Sequence, residues 1–417
     1  MEEAGFLGLG LETWKYISMP VISAVVGYVT NVIAIRMMFH PLEFIGIKEP
    51  ILGWQGIVPR KCAKMAGIAV DTITSKLLDE EEIFSRLDPQ RIADELEQPT
   101  LAMVDEITEA VMRRHQPLLW ESLPGAIKRQ IIRRVQGEAP EVIAEVMGEV
   151  RTNIRQMFDL KDMVVSSLVR DKPLLNRIFK ETGRAEFKFI GRSGLYFGFL
   201  FGCLQMGVWV FYQTWWLLPA FGLMVGYATN WVALKMIFNP KELWRIGPFS
   251  VQGLFHKRQM EVARDYGELV SQEILTPGNI LEAILKGPYA DKLFALVGRH
   301  VQEAIDDSAS VARPFVAWTV GTRNYRLMKE SAISEVLARM PVALQHVTDY
   351  AEDAMQIRET LVTRLQALNS TDFEGMLRPA FEEDEWILIA VGAALGFAVG
   401  WFQLIVLFGS EFAAAFG

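Results

Sequence analysis

The sequence has only two cysteines and five histidines, and these small numbers exclude several kinds of site. Cys62 lies in a polar segment and Cys203 in an apolar one, which argues against a structural disulfide. No cysteine pair has metal-site spacing, and His-Glu-x-x-His does not occur. His300 and Glu303 could share a helix face, but two ligands do not make a metal site.

Catalytic signatures are missing as well. There is no phosphate-loop lysine, nucleophile elbow or kinase motif, and Gly5, Gly8 and Gly10 precede a membrane helix instead of following a strand. The sequence therefore predicts no catalytic, cofactor-binding or metal-binding residues, and we expect a protein that is not an enzyme. The net charge of −8 argues against a nucleic-acid partner.

Charge is absent from the middle of the chain. From Ser193 to Leu234 there is no Asp, Glu, Lys or Arg, over about twice the ~20 residues that one membrane crossing needs. A hairpin of two transmembrane helices fits, turning near residues 213–216, where the tryptophans would lie at the interface. Two further apolar runs, 20–41 and 386–408, complete four predicted crossings.

Between these runs the chain is charged and rich in helix formers, with apolar residues at helical spacing. Asp88-Pro89 and Thr276-Pro277 look like helix caps followed by proline in the first turn. We expect the amphipathic helices to pack on one another, with the membrane surface or a partner as the alternative. The predicted organisation is an N-terminal tail (1–19), transmembrane helix 1 (20–41), soluble helical domain 1 (42–188), transmembrane helix 2 (189–212), transmembrane helix 3 (215–240), soluble helical domain 2 (241–385), transmembrane helix 4 (386–408) and a C-terminal tail (409–417).

The chain carries one pattern twice. Gly27-Tyr28-Val29-Thr30-Asn31 recurs as Gly226-Tyr227-Ala228-Thr229-Asn230, and the register holds from Pro20/Pro219 to Glu43/Glu242. A glycine ladder with a following glutamine also recurs, as Gly194, Gly198, Gly202 and Gln205 and then as Gly392, Gly396, Gly400 and Gln403. The fold class we predict is therefore an all-α integral membrane protein of two tandem repeats. Each repeat comprises a transmembrane helix, a soluble helical domain and a glycine-rich transmembrane helix.

The candidate site residues are polar or small groups at membrane depth. They are Gly27, Thr30, Asn31, Gly226, Thr229, Asn230, Gln205 and Gln403, together with the glycine ladders. Small residues four apart let helices approach closely, and buried amides need partners. These residues either hold the helices together or line a path for an ion or a lipid headgroup. Arg36 and Lys235 are the lipid-headgroup candidates, although orientation anchoring alone would also explain them.

The positions of Lys and Arg predict the orientation. Only Lys15 lies on one side of the predicted crossings. The other side holds Arg36, Lys48, Arg60, Lys61, Lys64, Lys180, Arg184, Lys188, Arg192, Lys235, Lys241, Arg245, Lys257 and Arg258. Both helical domains are therefore predicted in the cytoplasm, with both termini outside.

Several stretches resemble a bacterial membrane family known as domain-of-unknown-function family 445. They are the two Gly-Tyr-x-Thr-Asn helices and the ranges 158–179, 186–205 and 384–396. The resemblance extends over most of the chain and implies a protein of the bacterial inner membrane. It brings no functional residues with it.

The function that we predict is a non-enzymatic, membrane-anchored scaffold or interaction protein in envelope or lipid-surface organisation. The expected partners are membrane lipids, further copies of the chain and a cytoplasmic protein. The main alternative is a transporter or lipid-handling protein that uses the duplicated Gly-Tyr-x-Thr-Asn helices, and a membrane enzyme is a third class.

Overall fold

The structure is a computed structural model, and it describes residues 11–48, 52–240, 244–246, 249–308, 322–378, 385–407 and 409. The described residues are mainly helical, as predicted. Their packing divides the chain into two units. Unit 1 comprises Met1–Ala69, Leu168–Gly267 and Leu365–Gly417, and unit 2 comprises Val70–Ser167 and Glu268–Arg364.

Unit 1 contains four helices that are long and apolar enough to cross a membrane. They are α1 (Leu11–Phe39), α12 (Arg184–Phe211), α13 (Leu217–Phe238) and α22 (Glu385–Leu407). Helix α1 packs mainly against α12 and α13 mainly against α22, while α12 and α13 join the two pairs. A cluster of fully buried side chains that includes Met19, Trp209, Leu218 and Leu404 lies where the four helices meet.

Two short antiparallel hairpins follow the first and third membrane helices, and the sequence analysis did not predict them. Strand β1 (Ile45–Lys48) pairs with β2 (Leu52–Trp54), and β3 (Trp244–Ile246) pairs with β4 (Phe249–Val251). Strands this short contain too few residues to show apolar and polar alternation. The all-α prediction is corrected to this extent.

Shorter helices complete unit 1. They are α2 (Ile57–Arg60), α11 (Lys172–Thr182), α14 (Leu254–Lys257) and α21 (Ser370–Leu377). The boundary between the units falls within α3 (Cys62–Thr72), α10 (Leu160–Arg170), α15 (Gln259–Glu273) and α20 (Ile357–Ala367).

Unit 2 is built from helices of both inserts. The first insert contributes a π-helical turn (Ile73–Leu77), α4 (Glu80–Ser85), α5 (Pro89–Glu95), α6 (Glu97–His115), α7 (Pro117–Ser122), α8 (Gly125–Thr152) and α9 (Ile154–Met157). The second contributes α16 (Pro277–Lys286), α17 (Ala290–Ser308), α18 (Thr322–Ala343), a 3₁₀ turn (Leu344–Val347) and α19 (Thr348–Met355). Helix α17 packs on α8, and α18 packs on α6.

The domain boundaries therefore differ from those expected. Most of the two predicted soluble domains forms one unit, and their ends, 42–69 and 365–378 among them, belong to unit 1. Amphipathic stripes show that a helix needs a partner but not which partner, because apolar faces are not selective. The predicted N-terminal tail also includes residues 11–19, which lie in α1, and the predicted C-terminal tail lies outside the described residues apart from Gly409.

Both predicted helix caps are confirmed. The side chain of Asp88 accepts a hydrogen bond from the backbone N–H of Gln90 at 3.0 Å, with Pro89 in the first turn of α5. Thr276 accepts from the backbone N–H of Asn279 at 3.1 Å, with Pro277 in the first turn of α16. Each cap satisfies one of the N–H groups that the start of a helix leaves without an internal acceptor.

Candidate functional site in the membrane-spanning helices

The interface between α1 and α12 is made by glycines. A methyl group added at Gly27 would overlap the carbonyl oxygen of Gly194, and one added at Gly198 would overlap the backbone of Ser23. Only glycine lets two helix backbones come this close, which is why a four-residue glycine spacing marks tight packing in membranes. The ladder Gly194, Gly198 and Gly202 is buried along its whole length.

Asn31 holds the same interface with a hydrogen bond. Its Nδ2 donates to the backbone carbonyl of Ile190 at 2.6 Å, and its side chain is completely buried. The carbonyl at Ile190 also accepts from the hydroxyl of Ser193. An amide at membrane depth without a partner is costly, so this bond favours the packed arrangement over a separated one.

The second pair, α13 and α22, repeats this arrangement. Asn230 Nδ2 donates to the backbone carbonyl of Leu388 at 2.7 Å. A methyl group at Gly226 would overlap the carbonyl oxygen of Gly392, and one at Gly400 would overlap the backbone at Leu218. Gly392, Gly396, Gly400 and Gln403 are all buried.

The two threonines bond within their own helices. Thr30 Oγ1 donates to the carbonyl of Gly27 at 3.1 Å, and Thr229 Oγ1 donates to that of Gly226 at 3.4 Å. This local bond is the common choice for a threonine inside a helix, because the acceptor one turn earlier is always within reach. In each Thr-Asn pair, therefore, only the asparagine bonds across the helix contact.

The two glutamines bring the two helix pairs together. Gln205 Nε2 donates to Gln403 Oε1 at 3.4 Å, and Ser23 Oγ donates to Gln205 Oε1 at 3.0 Å. Three buried polar atoms of the candidate site residues have no hydrogen-bond partner among the described residues. They are the Oδ1 atoms of Asn31 and Asn230 and the Nε2 atom of Gln403.

Arg36 and Lys235 are both exposed near the ends of their helices. Arg36 lies in a surface recess beside His40, whose Nε2 is 2.8 Å from the Nζ of Lys180. Burial lowers the pKa of the His40 imidazole, and the nearby charges of Lys180 and Arg36 lower it further. The end of α1 therefore presents a small basic cluster that could meet an anionic headgroup. The pairing of His40 with Lys180 carried no sequence signal, because the two residues lie far apart in the chain.

A second group that sequence reasoning missed surrounds Arg258. Its guanidinium donates to the buried carboxylate of Glu186 at 2.7 Å and to that of Glu261, also at 2.7 Å. These acceptors raise the pKa of Arg258, and the guanidinium lowers the pKa of Glu261. A buried carboxylate paired with arginine in this way is a structural ion pair, because its charge is already neutralised.

The expected helix-face pairing of His300 and Glu303 is present, at 3.8 Å, and Glu149 lies closer to the imidazole at 3.1 Å. Within the described ranges, however, no three His, Cys, Asp or Glu side chains are grouped so that they could hold a metal ion. His300 therefore belongs to an ion-pair cluster in unit 2.

Comparison with known proteins found a family match over part of the chain. Residues 21–170 match the model of a family described as "Protein of unknown function (DUF445)". The family resemblance is confirmed. The matched range includes the first Gly-Tyr-x-Thr-Asn motif and is narrower than the resemblance implied, because 186–205 and 384–396 lie outside it.

Curated relatives carry the name "UPF0754 membrane protein". One from Microcystis aeruginosa is 26% identical over 147 residues, which is 35% of either chain. One from Exiguobacterium sibiricum is 30% identical over 139 residues, or 33% of either chain, and one from Synechococcus sp. is 26% identical over 185 residues, or 39% of this chain and 44% of the relative. The chain thus spans about a third to under a half of these relatives' length. With the four apolar helices, these names support a membrane protein.

Proposed function

We propose that this chain is a non-enzymatic, membrane-anchored scaffold or interaction protein that works at a lipid surface. In this proposal the four-helix bundle of unit 1 is a fixed anchor, and the helical unit 2 makes the functional contacts. The observation that carries the proposal is the closed packing of α1 on α12 and of α13 on α22. Glycine backbones are in direct contact at both interfaces. Asn31 and Asn230 donate their amide N–H groups to backbone carbonyls of the neighbouring helices.

The basic cluster at the end of α1 supports the lipid-surface part of the proposal. Arg36 is exposed, and Lys180 and His40 lie beside it, so an anionic phosphate would find several donors together. Lys235 is exposed near the end of α13, in the corresponding place.

The other proposed partners are a cytoplasmic protein and further copies of the chain. A homo-oligomer would have to use lipid-facing side chains, because the glycine ladders are occupied by helices of the same chain. If crosslinking in native membranes recovers only monomer, the proposed homo-oligomer is contradicted.

The paired arrangement also supports the proposal of two tandem repeats. The same kind of hydrogen bond, the same glycine contacts and a following hairpin occur in both halves of unit 1. Duplication of one segment accounts for all of these correspondences together.

For localisation we propose the bacterial inner membrane, with both inserts in the cytoplasm and both termini outside. The distribution of Lys and Arg supports this orientation. A reporter fused after Gly417 tests it, and a reporter that is active only in the cytoplasm would overturn it.

The anchor proposal is tested by the access of water-soluble thiol reagents to the helix interfaces. In a chain without Cys62 and Cys203, we expect Thr30→Cys and Thr229→Cys to stay unlabelled in native membranes. Arg36→Cys is the control that should label. Labelling of the two buried positions at the rate of Arg36→Cys would indicate a water-filled path and would refute a fixed anchor.

The transporter or lipid-handling alternative rests on one specific observation. The Oδ1 atoms of Asn31 and Asn230 are buried without a partner among the described residues, so a transported group could use them. Replacing both asparagines by alanine separates the two functions. A transport or lipid defect in a protein that still folds and inserts would favour the alternative, whereas loss of folding would favour the packing role.

A further inference from the structure

Unit 2 encloses a cavity that the proposed function does not yet use. The described residues leave a volume of about 680 Å³ between α6, α8, α17 and α18, within the ~300–1,000 Å³ typical of small-molecule sites. Its lining is almost wholly apolar and includes Met103, Val142, Val301 and Met340, one from each helix. A cavity of this size and lining is a site for an apolar molecule.

The cavity is long. Its lining residues on α8 run from Ile131 to Val150, which at 1.5 Å per residue is roughly 28 Å of helix. Met103, Val142, Val301 and Met340 line the cavity and are only half-buried, so each keeps exposed apolar surface there. Water gains little in an apolar cavity, whereas a flexible hydrocarbon chain would cover these side chains along its whole length.

One end of the cavity carries charge. Arg134 and Glu138, one turn apart on α8, are the only charged side chains among the described lining residues. Arg134 is exposed and makes no ion pair within the part of the chain that the structure describes. A guanidinium free in this way suits a carboxylate or a phosphate, which it can hold with two parallel hydrogen bonds.

We propose that unit 2 binds one single-chain anionic amphiphile, a long-chain fatty acid or a lysophospholipid. The hydrocarbon chain lies along α8 and the acidic group meets Arg134. This binding site deepens the proposed function and rests on it, because a protein anchored in a membrane is close to a supply of such lipids. It gives unit 2 a ligand class and makes the lipid surface the source of that ligand.

The experiment uses the full chain in phosphatidylcholine nanodiscs and a palmitic acid that carries a photoactivatable diazirine. After irradiation, mass spectrometry locates the adducts. We expect adducts on α8 and α17 that palmitate competes away. Octanoate should compete more than a hundredfold less well, because each methylene is worth about a factor of four in affinity. Lysophosphatidylglycerol as competitor distinguishes the two sources of the acidic group, and hexadecanol should be weaker than palmitate because it lacks charge.

Variants test the site itself. Ala139→Phe and Ala304→Phe place rings in the cavity from opposite helices and should abolish the adducts. Ala126→Phe, at an exposed position of α8 outside the lining, is the matched control and should keep them. Arg134→Glu should weaken palmitate competition at least tenfold, Arg134→Lys should retain most of it, and Arg129→Glu on the same helix should leave it unchanged.

Adducts confined to the four membrane helices would overturn the proposal, as would cavity adducts that persist in Ala139→Phe and Ala304→Phe variants with wild-type melting. If the filled variants melt early, the wild-type adduct map and Arg134→Glu decide in their place. The thiol-labelling experiment on the anchor measures the water accessibility of residues in unit 1, whereas the adducts are mapped in unit 2. A failure there leaves the adduct map unaffected, so the two proposals fail separately.

Discussion

At the scale of single residues, the two asparagines do most to define the membrane bundle. Asn31 and Asn230 each donate to a carbonyl of the neighbouring helix, and the glycines beside them remove the side chains that would keep that carbonyl out of reach. The sequence pattern marked these residues as candidates either for helix packing or for lining a path, and both make a packing hydrogen bond in the structure. The pattern does not distinguish Thr30 from Asn31, because both side chains can bond across a helix contact. In the structure the Thr30 hydroxyl donates instead to the carbonyl of Gly27 in its own helix.

Glycine substitutions test this packing directly. Gly194→Ala should destabilise the protein by about 1–3 kcal/mol, because the new methyl group would overlap Gly27 and the amide of Asn31. Gly207→Ala, on the same helix, meets no atom within 4 Å and should be neutral or stabilising by up to ~1 kcal/mol. Thermal unfolding in one detergent measures both. Equal effects of the two changes would show that α12 does not pack on α1 as described.

Ion pairs that the sequence did not predict also belong to this scale. The buried Glu186 and its half-buried partner Arg258 lie 72 positions apart, and neither stands out in its local sequence. Charged residues are common in the inserts and at helix ends, so composition cannot tell a buried pair from a solvated one. The pairing becomes visible only when the fold brings α12 and α15 together.

At the scale of elements, an ion-pair network joins α4 to α20 inside unit 2. Arg364 donates to both carboxylate oxygens of Glu82, at 2.9 and 2.8 Å, and also to the carbonyl of Leu77. Arg86 donates to the same carboxylate at 2.9 Å. The hydrogen bond from Arg364, then its charge and the contacts of Arg86, hold the pKa of Glu82 below its ordinary value of 4.5.

This network predicts a pH dependence. A carboxyl group whose pKa is lowered by folding stabilises the fold above its unfolded pKa and loses that contribution as the pH falls through the folded pKa. The melting temperature of the full chain should therefore drop below about pH 4.5, and Arg364→Met should flatten part of that drop. Added salt should also lower the melting temperature, because Glu82 is partly exposed and salt screens its attraction to Arg364.

Arg358→Met on the same helix is the control for this prediction. Among the residues that the structure describes, Arg358 pairs only with its neighbour Glu359, whose pKa is lowered first by its own backbone. The control should keep most of the acid dependence. An acid profile that is the same in wild type and Arg364→Met would mean that the Glu82 network does not stabilise unit 2.

Among elements, the sequence predicted the membrane helices well and the strands not at all. The apolar runs are long and free of charge, so their existence follows from hydropathy, and the caps at Asp88 and Thr276 follow from side-chain chemistry. Helix α1 nevertheless begins at least nine residues before the expected start, because Pro20 is accommodated inside it. The hairpins are too short to leave a periodic signal.

At the scale of the whole molecule, both units combine segments from the two halves of the chain. In unit 2, α6 and α8 from the first insert pack on α18 and α17 from the second. In unit 1, α12 and α13 join the two helix pairs. The sequence suggested one soluble domain for each similar half, because self-similarity does not reveal whether two similar segments fold separately.

A split chain tests this shared construction. Cutting between residues 214 and 215 leaves the membrane helices intact, since α12 ends at Phe211 and α13 begins at Leu217. Each half expressed alone should be degraded by trypsin, because half of the apolar surface of unit 2 would be uncovered. The halves expressed together should associate and resist trypsin. A first half that is stable by itself would contradict the shared unit.

The most direct test of the whole account is a density map of the protein in lipid nanodiscs that resolves the backbone between the membrane helices. We expect Gly27 to contact Gly194, and Gly226 to contact Gly392, with unbroken contact along both helix pairs. Asn31 and Asn230 should reach the carbonyls of Ile190 and Leu388. Density for water, an ion or a lipid between the paired helices would contradict the account, because the bundle would then be a pathway and not an anchor.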